Sequence, residues 1–290
     1  MNLKEITIPP EAGGMQVADF VRRLLPDLPE SMVRKLFDAR DVRLDGVRVA
    51  RDSRLAPGQQ LRLYLPSDPA PSLDIVYEDR DVLLVNKRAG LPVEPVPGAL
   101  SLSELCRRHV LEAGEAVENF FPPAPCHRLD VRTGGLCLFA KNQQALDCLL
   151  EVFRSRSLKK EYIALVRGEM KPASAVCKAF LFKDAKAAKV RILDHPLPGA
   201  REIVTGYTTL ESGPVSRLQV HLITGRTHQI RAHLAALGHP ILGDDLYGDR
   251  DFNRRLRARS LKLWAVSLTL DTGGVLPDLD GREFSVSPPF

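Results

Sequence analysis

Residues 126–140 read Cys126-His127-Arg128-Leu129-Asp130-Val131-Arg132-Thr133-Gly134-Gly135-Leu136-Cys137-Leu138-Phe139-Ala140. Titratable side chains crowd the first half, a Gly-Gly pair follows, and an unbroken apolar run closes the stretch. An apolar run this short, opened by glycines, reads as a buried strand over 136–140. The charged segment before it is then a loop fixed by a buried scaffold, a common place for a reactive side chain. Composition alone also fits a surface turn in which Arg128 and Asp130 pair with neighbours.

Working outward, further strands are expected at 82–86, 161–166, 217–223 and 261–270, and helices at 102–111, 143–155 and 228–237. The helix over 143–155 places Leu146, Leu149, Leu150 and Phe153 on one face, which reads as core. Residues 74–290 therefore form one α+β domain. Before them, 66–73 (Pro-Ser-Asp-Pro-Ala-Pro-Ser-Leu) reads as a semi-rigid linker. The first 65 residues read as a small separate unit. Val17, Phe20, Val21 and Leu24 recur at helical spacing, and Pro26 ends that helix. A second helix starts at Ser31. Val42-Arg43-Leu44 and Val47-Arg48-Val49 flank Asp45-Gly46, a strong hairpin pattern. Leu61, Leu63 and Leu65 alternate as a last strand.

Nine basic residues lie between 22 and 54 in that unit, among them Arg34, Lys35, Arg40, Arg43 and Arg48, with six acids interleaved. Two helices followed by a basic hairpin resemble the small RNA-binding domain of the ribosomal-protein S-four type, over about 13–65. On that resemblance Arg34, Lys35, Arg43 and Arg48 are candidate RNA contacts.

The chain has 290 residues and a formal charge of +5, with a pI near 9.0, which is compatible with a polyanionic partner. No apolar run is long enough to cross a bilayer, and the N-terminus lacks the regions of a signal peptide. A cytoplasmic protein with no membrane association is expected. Five cysteines without a C-x-x-C pair point to reduced thiols, most of them buried. His221, His228, His233 and His239 invite a metal reading, but no metal-ligand spacing joins them, and they read as helix-surface histidines. Neither a phosphate-binding G-x-x-x-x-G-K-[ST] nor a G-x-S-x-G occurs.

A second informative stretch is Thr224-Gly225-Arg226-Thr227-His228-Gln229-Ile230-Arg231-Ala232-His233-Leu234, running on to Gly238-His239-Pro240. Thr227 is the expected N-cap and Gly238 the expected helix end. Arg231 lies beside the apolar stripe of Ile230, Leu234 and Leu237. A partly buried arginine needs an anion, either a structural carboxylate or one that does chemistry.

Taken together, His127-Arg128-Leu129-Asp130 with Thr133-Gly134-Gly135, the stretch 224–234, and Gly238-His239-Pro240-Ile241-Leu242-Gly243-Asp244-Asp245-Leu246-Tyr247-Gly248 closely resemble the RluA family of RNA pseudouridine synthases. Lys160-Glu161-Tyr162 matches that family's Lys-x-Tyr strand, and 76–79 and 82–87 match its opening strands. The resemblance spans about 75–290. It implies a mixed, largely antiparallel sheet with flanking helices around a central catalytic cleft. It places the catalytic aspartate on Asp130, the active-site tyrosine on Tyr162 and the paired arginine on Arg231. It also implies isomerisation of uridine to pseudouridine in ribosomal or transfer RNA, and the additional RNA-binding unit favours ribosomal RNA. An isomerisation needs no cofactor, and a monomer is the default expectation. Arg128 would touch phosphate or fill the vacated base stack.

The sequence departs from the family pattern in three places. Arg88 stands where proline is usual, Gly134 where serine is frequent, and Trp264 where histidine is common. The roles follow from the reaction. An ionised carboxylate can attack the anomeric carbon or help remove a sugar proton. A tyrosine can stack on the freed uracil and move a proton. The target base would have to be flipped out of structured RNA. A non-catalytic RNA-binding or assembly factor would share the fold but would be expected to have lost Asp130, Tyr162 or Arg231. A glycosidic hydrolase would need a second carboxylate to activate water, for which Asp244 or Asp245 could be proposed.

Overall fold

The computed structural model describes residues 2–25, 30–39, 41–65, 72–113, 121–184 and 189–290. Pro26, Arg40 and most of the Pro-rich stretch 66–73 lie outside the described residues. The chain divides into two compact units, Met1–Ser72 with Pro95–Ser101, and Leu73–Glu94 with Leu102–Phe290.

In the first unit, β1 (Asn2–Thr7), β2 (Val42–Leu44), β3 (Val47–Arg48) and β4 (Gln60–Leu65) form an antiparallel sheet in the order β1-β4-β2-β3. Asp45 and Gly46 turn β2 into β3 with φ of 48° and 83°, both left-handed, which suits a tight hairpin. Helices α1 (Val17–Leu24) and α2 (Glu30–Asp38) bury Val17, Val21, Val33 and Leu36 with Val42, Leu61 and Leu63. α2 starts at Glu30, one residue ahead of the expected Ser31. β1 was not anticipated, because its identity comes from pairing with β4 far along the chain.

The second unit is built on an eleven-stranded sheet. Its strands are β5 (Ile75–Glu78), β6 (Val82–Lys87), β7 (Ala124–Pro125), β8 (Gly134–Ala140), β9 (Leu158–Arg167), β10 (Ser174–Asp184), β11 (Lys189–Leu193), β12 (Arg201–Glu211), β13 (Val215–Leu222), β14 (Leu263–Leu270) and β15 (Glu283–Ser285). The order is β11-β10-β12-β13-β9-β14-β8-β6-β5, with β15 beside β14 and β7 beside β8. Only the β8–β14 pairing is parallel among the described strands. The sheet is thus mixed and largely antiparallel.

Helices flank both of its faces. Phe139 and Cys137 of β8 and Leu83 and Val85 of β6 face a core shared with α3 (Leu102–Glu112) and α5 (Gln229–Ala236). Leu136, Leu138, Val82 and Leu84 face a second core shared with α4 (Gln143–Ser155). Strands buried on both faces read as continuous apolar runs, which explains 82–85 and 136–140. Full burial of Phe139 alone contributes up to about 3 kcal/mol. Asn142 caps α4 by accepting the Ala145 amide at 2.8 Å. Within α4, Leu150 is exposed, contrary to the expected core face, while Ala145, Leu149 and Val152 are buried.

At the entry to β8 the chain runs hard against β14. Gly135 has φ of 113°, and a Cβ there would lie 2.1 Å from the Ala265 carbonyl oxygen, so glycine is required. A Cβ on Gly134 would sit 2.2 Å from the Trp264 ring. The two departures at 134 and 264 are therefore one feature, an indole filling the space a serine side chain would take. No described helix is long and apolar enough to cross a membrane. All five cysteines are free, and Cys106, Cys126 and Cys137 are buried.

Candidate active site

Asp130 sits in the loop between β7 and β8, which neighbouring groups pin along its backbone. The Thr133 amide donates to the Asp130 carbonyl at 3.0 Å, and the Gly90 amide donates to Val131 at 2.7 Å. Lys87 is buried beneath it and donates to the carbonyls of Arg88, Leu91 and Val131 at 3.1, 2.8 and 3.2 Å. Burial pushes the Lys87 pKa down to about 8, against the opposing charge of Asp130. His127 anchors the other end. Its Nε2 accepts the Leu138 amide at 3.2 Å, and its ring stacks on Phe153 at 4.7 Å. Burial, with Lys160 nearby, pushes the imidazole down to about 3, so His127 is a neutral acceptor.

Arg231 projects from α5 with a side chain only 5% exposed, and it meets Asp130, which is 22% exposed, with Nη1 3.1 Å from Oδ2. This pair brings together residues 101 positions apart. The guanidinium's main anchor is a different carboxylate, which the sequence raised only as a possible water-activating acid. Asp244 is fully buried and accepts from Arg231 Nε at 2.8 Å and Nη2 at 2.9 Å. Its Oδ1 also accepts the Leu246 and Tyr247 amides at 2.8 and 3.1 Å. Burial works to raise the Asp244 carboxyl, but the Arg231 contacts and those amides outweigh it and hold the pKa below the usual range. Arg231 in turn is held more basic than usual by Asp244 and Asp130, despite its burial. A signal for Asp244 did exist in the sequence. A guanidinium has five donors and a single carboxylate uses two of them, so a buried arginine needs more than one partner.

The start of α5 differs from expectation. Thr227 does not cap it. His228 holds the N-cap position in the left-handed region, φ 55° and ψ 17°, with no side-chain cap. The turn is instead fastened by buried Gln229, whose Oε1 accepts from the Thr224 hydroxyl at 2.9 Å and the Arg226 amide at 3.2 Å. That backbone aims His228 at the site. Its Nδ1 hydrogen-bonds the Tyr247 hydroxyl at 3.0 Å, and its Nε2 lies 3.9 Å from Asp130 Oδ2. Burial lowers its pKa, Asp130 opposes that, and Arg231 adds to it. His233, expected on a helix surface, is buried and hydrogen-bonds the Thr205 hydroxyl at 3.0 Å. No cluster of three or more His, Cys, Asp or Glu suited to a metal occurs among the described residues.

Tyr162 lies on β9, buried in the core that also contains Leu129. Burial first, then the Asp130 charge, pushes its hydroxyl well above the usual range, so the phenol keeps its proton at neutral pH. Neither Asp244 nor Asp245 is placed to activate water. Asp244 has both oxygens engaged, and exposed Asp245 is ion-paired with Arg132. A buried arginine bridging a partly open aspartate to a buried one, with a protonated tyrosine in the adjoining core, is a centre suited to carboxylate chemistry.

The family model described as RNA pseudouridylate synthase matches residues 81–236. The chain belongs to the RNA pseudouridylate synthase family. This synthase is an isomerase that converts uridine to pseudouridine in RNA. It is 34% identical over 269 residues to ribosomal large subunit pseudouridine synthase C of Vibrio vulnificus, covering 86% of this chain and 81% of the relative. The enzyme of the same name from Escherichia coli (strain K12) is 31% identical over 275 residues, with 88% and 83% covered. Among solved structures, human RNA pseudouridylate synthase domain containing 1 superposes with a TM-score of 0.61 at 29% identity, covering 77% of this chain and 87% of that one.

The candidate RNA contacts of the synthase stand apart from this cluster in character. Arg128 is exposed and pairs with Glu94 at 2.6 Å. In the first unit, Arg34, Lys35 and Arg48 are exposed, and Arg43 lies over the Tyr64 ring at 5.0 Å. Arg22 and Arg51, by contrast, are committed to Glu30, at 2.7 Å each.

Proposed function

We propose that this synthase isomerises uridines of large-subunit ribosomal RNA, with Asp130 as its catalytic carboxylate, Tyr162 against the base and Arg231 as the group that pairs with Asp130 and aims it. The observation that carries the reading is the Arg231–Asp130 contact, made by a guanidinium already locked in place by Asp244. In the reaction the bond from sugar C1′ to base N1 breaks, the uracil turns, and C1′ rejoins C5, whose proton is lost as N1 regains one. Asp130 supports the departure of N1, by attack on C1′ or by taking a proton beside it. Tyr162, kept protonated by its surroundings, stacks on the freed uracil and passes protons to and from it. The related synthases C bear the large ribosomal subunit in their names, which favours that RNA over transfer RNA.

The first unit, with Arg34, Lys35, Arg43 and Arg48, adds phosphate contacts that raise affinity without taking part in the chemistry. Replacing Arg34, Lys35 and Arg48 with glutamine is expected to weaken RNA binding and to flatten its salt dependence by about two in log–log slope. An unchanged slope assigns that unit another task. Mapping pseudouridines across total RNA from cells with and without the protein tests the substrate. Loss of particular sites in large-subunit RNA is expected, whereas loss confined to transfer RNA would overturn the assignment.

A further inference from the structure

Outside the Asp130 centre, the second unit carries a cationic pocket with no part in the chemistry above. Arg250, Arg254, Arg255, Arg257 and Arg259 fall within ten residues that hold a single acid, Asp251. Helix α6 (Arg250–Arg255) and the turn after it set four of them, Arg250, Arg254, Arg257 and Arg259, around a cavity of about 550 Å3 whose wall includes Asp244. Arg254 pairs with Asp251 at 3.0 Å. Arg250, Arg257 and Arg259 make no ion pair among the described residues. The acids in the wall are already used, Asp244 by Arg231 and Asp245 by Arg132. The uncompensated charge of the cavity is therefore positive.

Its frame is stiff. Asn253 Oδ1 accepts the Gly243 amide at 2.8 Å, and Asn253 Nδ2 donates to the Asp244 carbonyl at 3.0 Å. A Cβ on Gly243 would lie 1.9 Å from the Ser260 carbonyl oxygen, so the two segments pass in contact. Arg257 is held at φ 51°, a strained setting for a non-glycine that persists where the surroundings enforce it. Arg132, two residues past Asp130, donates to the Gly243 and Arg259 carbonyls at 3.4 and 3.3 Å and so ties the pocket to the catalytic loop.

The geometry points to a phosphodiester site: the arginine pocket grips RNA backbone phosphates beside the nucleotide whose sugar meets Asp130. This inference rests on the reading of the Asp130 centre given above. Planar guanidinium forks match phosphate oxygens in pairs. A cavity of this volume falls within the range of ligand sites, well beyond what a lone ion needs. No aromatic ring lines it, so it holds backbone and does not stack or read bases. Through Asp244 it shares a wall with Arg231, so a strand gripped there is registered against the Asp130 centre.

The test is a triple variant, Arg250→Gln, Arg257→Asn and Arg259→Gln, with asparagine chosen because it tolerates the left-handed backbone. Filter binding to an unmodified large-subunit ribosomal RNA transcript is measured over a range of salt, alongside pseudouridine formation. The expected result is a Kd raised roughly tenfold or more and a log–log salt slope reduced by about two, one fraction of about 0.7 per lost contact. The fall in kcat/KM should be carried by KM. Should the triple variant fail to melt like the parent, the single variants R250Q and R259Q are each expected to reduce the slope by about 0.7. Unchanged Kd and slope in folded variants would overturn the pocket. A parent that binds this RNA but makes no pseudouridine would instead overturn the enzymatic reading, and the binding arm would still decide the pocket.

Discussion

Replacing Asp130 and Asp244 separately with asparagine distinguishes a carboxylate that does chemistry from one that holds the machinery. Asp130 is partly open and makes one contact to Arg231, at 3.1 Å. When its charge is lost, Arg231 keeps both bonds to Asp244, so no buried charge is orphaned and the cost to stability is about 1 kcal/mol or less. Asp244 is fully buried, and its two oxygens take two guanidinium bonds and two backbone amides. Asparagine there turns an amide N–H toward the guanidinium and leaves a buried cation short of its main partner, which costs about 3 kcal/mol or more. For a unit of this size that lowers Tm by roughly 6–12 °C. Turnover should fall below detection for Asp130→Asn with Tm and RNA affinity near the parent's. Asp244→Asn should lower both Tm and kcat, the latter by about a hundredfold as Arg231 and Asp130 lose alignment. Thermal melting by circular dichroism and pseudouridine formation on a ribosomal RNA transcript are read side by side. An Asp130→Asn protein that still turns over, or an Asp244→Asn protein that melts with the parent, would refute this division of labour.

Three further outcomes follow from the same contacts. Tyr162→Phe keeps the stacking ring and removes the hydroxyl, so RNA affinity should hold while kcat drops by about 10²-fold or more; a variant with parental kcat removes the hydroxyl from the mechanism. His127 is neutral when folded, with a pKa near 3 against about 6.5 unfolded, so below pH 6.5 the unfolded chain binds the extra proton and stability falls as pH falls. Denaturant titrations should show His127 contributing up to about 1.4 kcal/mol lost per pH unit between roughly 6 and 4, a component absent from His127→Gln. Gly134→Ser should cost about 1–3 kcal/mol by overlap with the Trp264 ring, and Trp264→His should relieve that cost in the double variant; additive effects in the cycle would break the proposed link.

Much of the fold was legible because the central strands are buried on both faces. The runs 82–85 and 136–140 stand out as apolar blocks, and α4 carries an apolar face at helical spacing. The strands β10 and β12 were not legible. In β10 burial alternates, with Ala179 and Leu181 facing the core, but Phe180 and Phe182 are half-buried on the other side, so the sequence shows no apolar–polar alternation there. β12 carries Gly206 at mid-strand, which weakens its pattern further. These strands exist because each pairs with a neighbour along most of its length, Ser174–Leu181 against Arg201–Thr208. Pairing of that kind is tertiary information that no short window of sequence holds. The error at α5 has the same origin. Thr227 looks like a cap, but Gln229 fastens the turn by bonds to the Thr224 hydroxyl and the β12 residues Val204 and Thr205, and His228 takes the left-handed position.

The site divides along the same line. Asp130 stood out through the resemblance of its motif to the family, since composition alone fits a surface ion pair as well. Asp244 was passed over, because its importance lies in what Arg231 needs once buried. A guanidinium bound to Asp130 alone would be anchored only as firmly as a partly solvated loop carboxylate allows. Bound to Asp244 by two parallel bonds, it becomes a fixed charge on the scaffold, and Asp130 is aligned against it. Such preorganisation lets a carboxylate change its partner during a reaction without the surrounding charges having to move. His228 fits this arrangement as well. Its left-handed backbone and its bond to Tyr247, whose hydroxyl also accepts the Val190 amide, fix an imidazole edge 3.9 Å from the Asp130 oxygen that Arg231 holds. Asp130 Oδ2 thus faces two groups held in place by their own partners, which leaves Oδ1 without a partner among the described residues; under the proposed reading Oδ1 is the oxygen that meets the sugar.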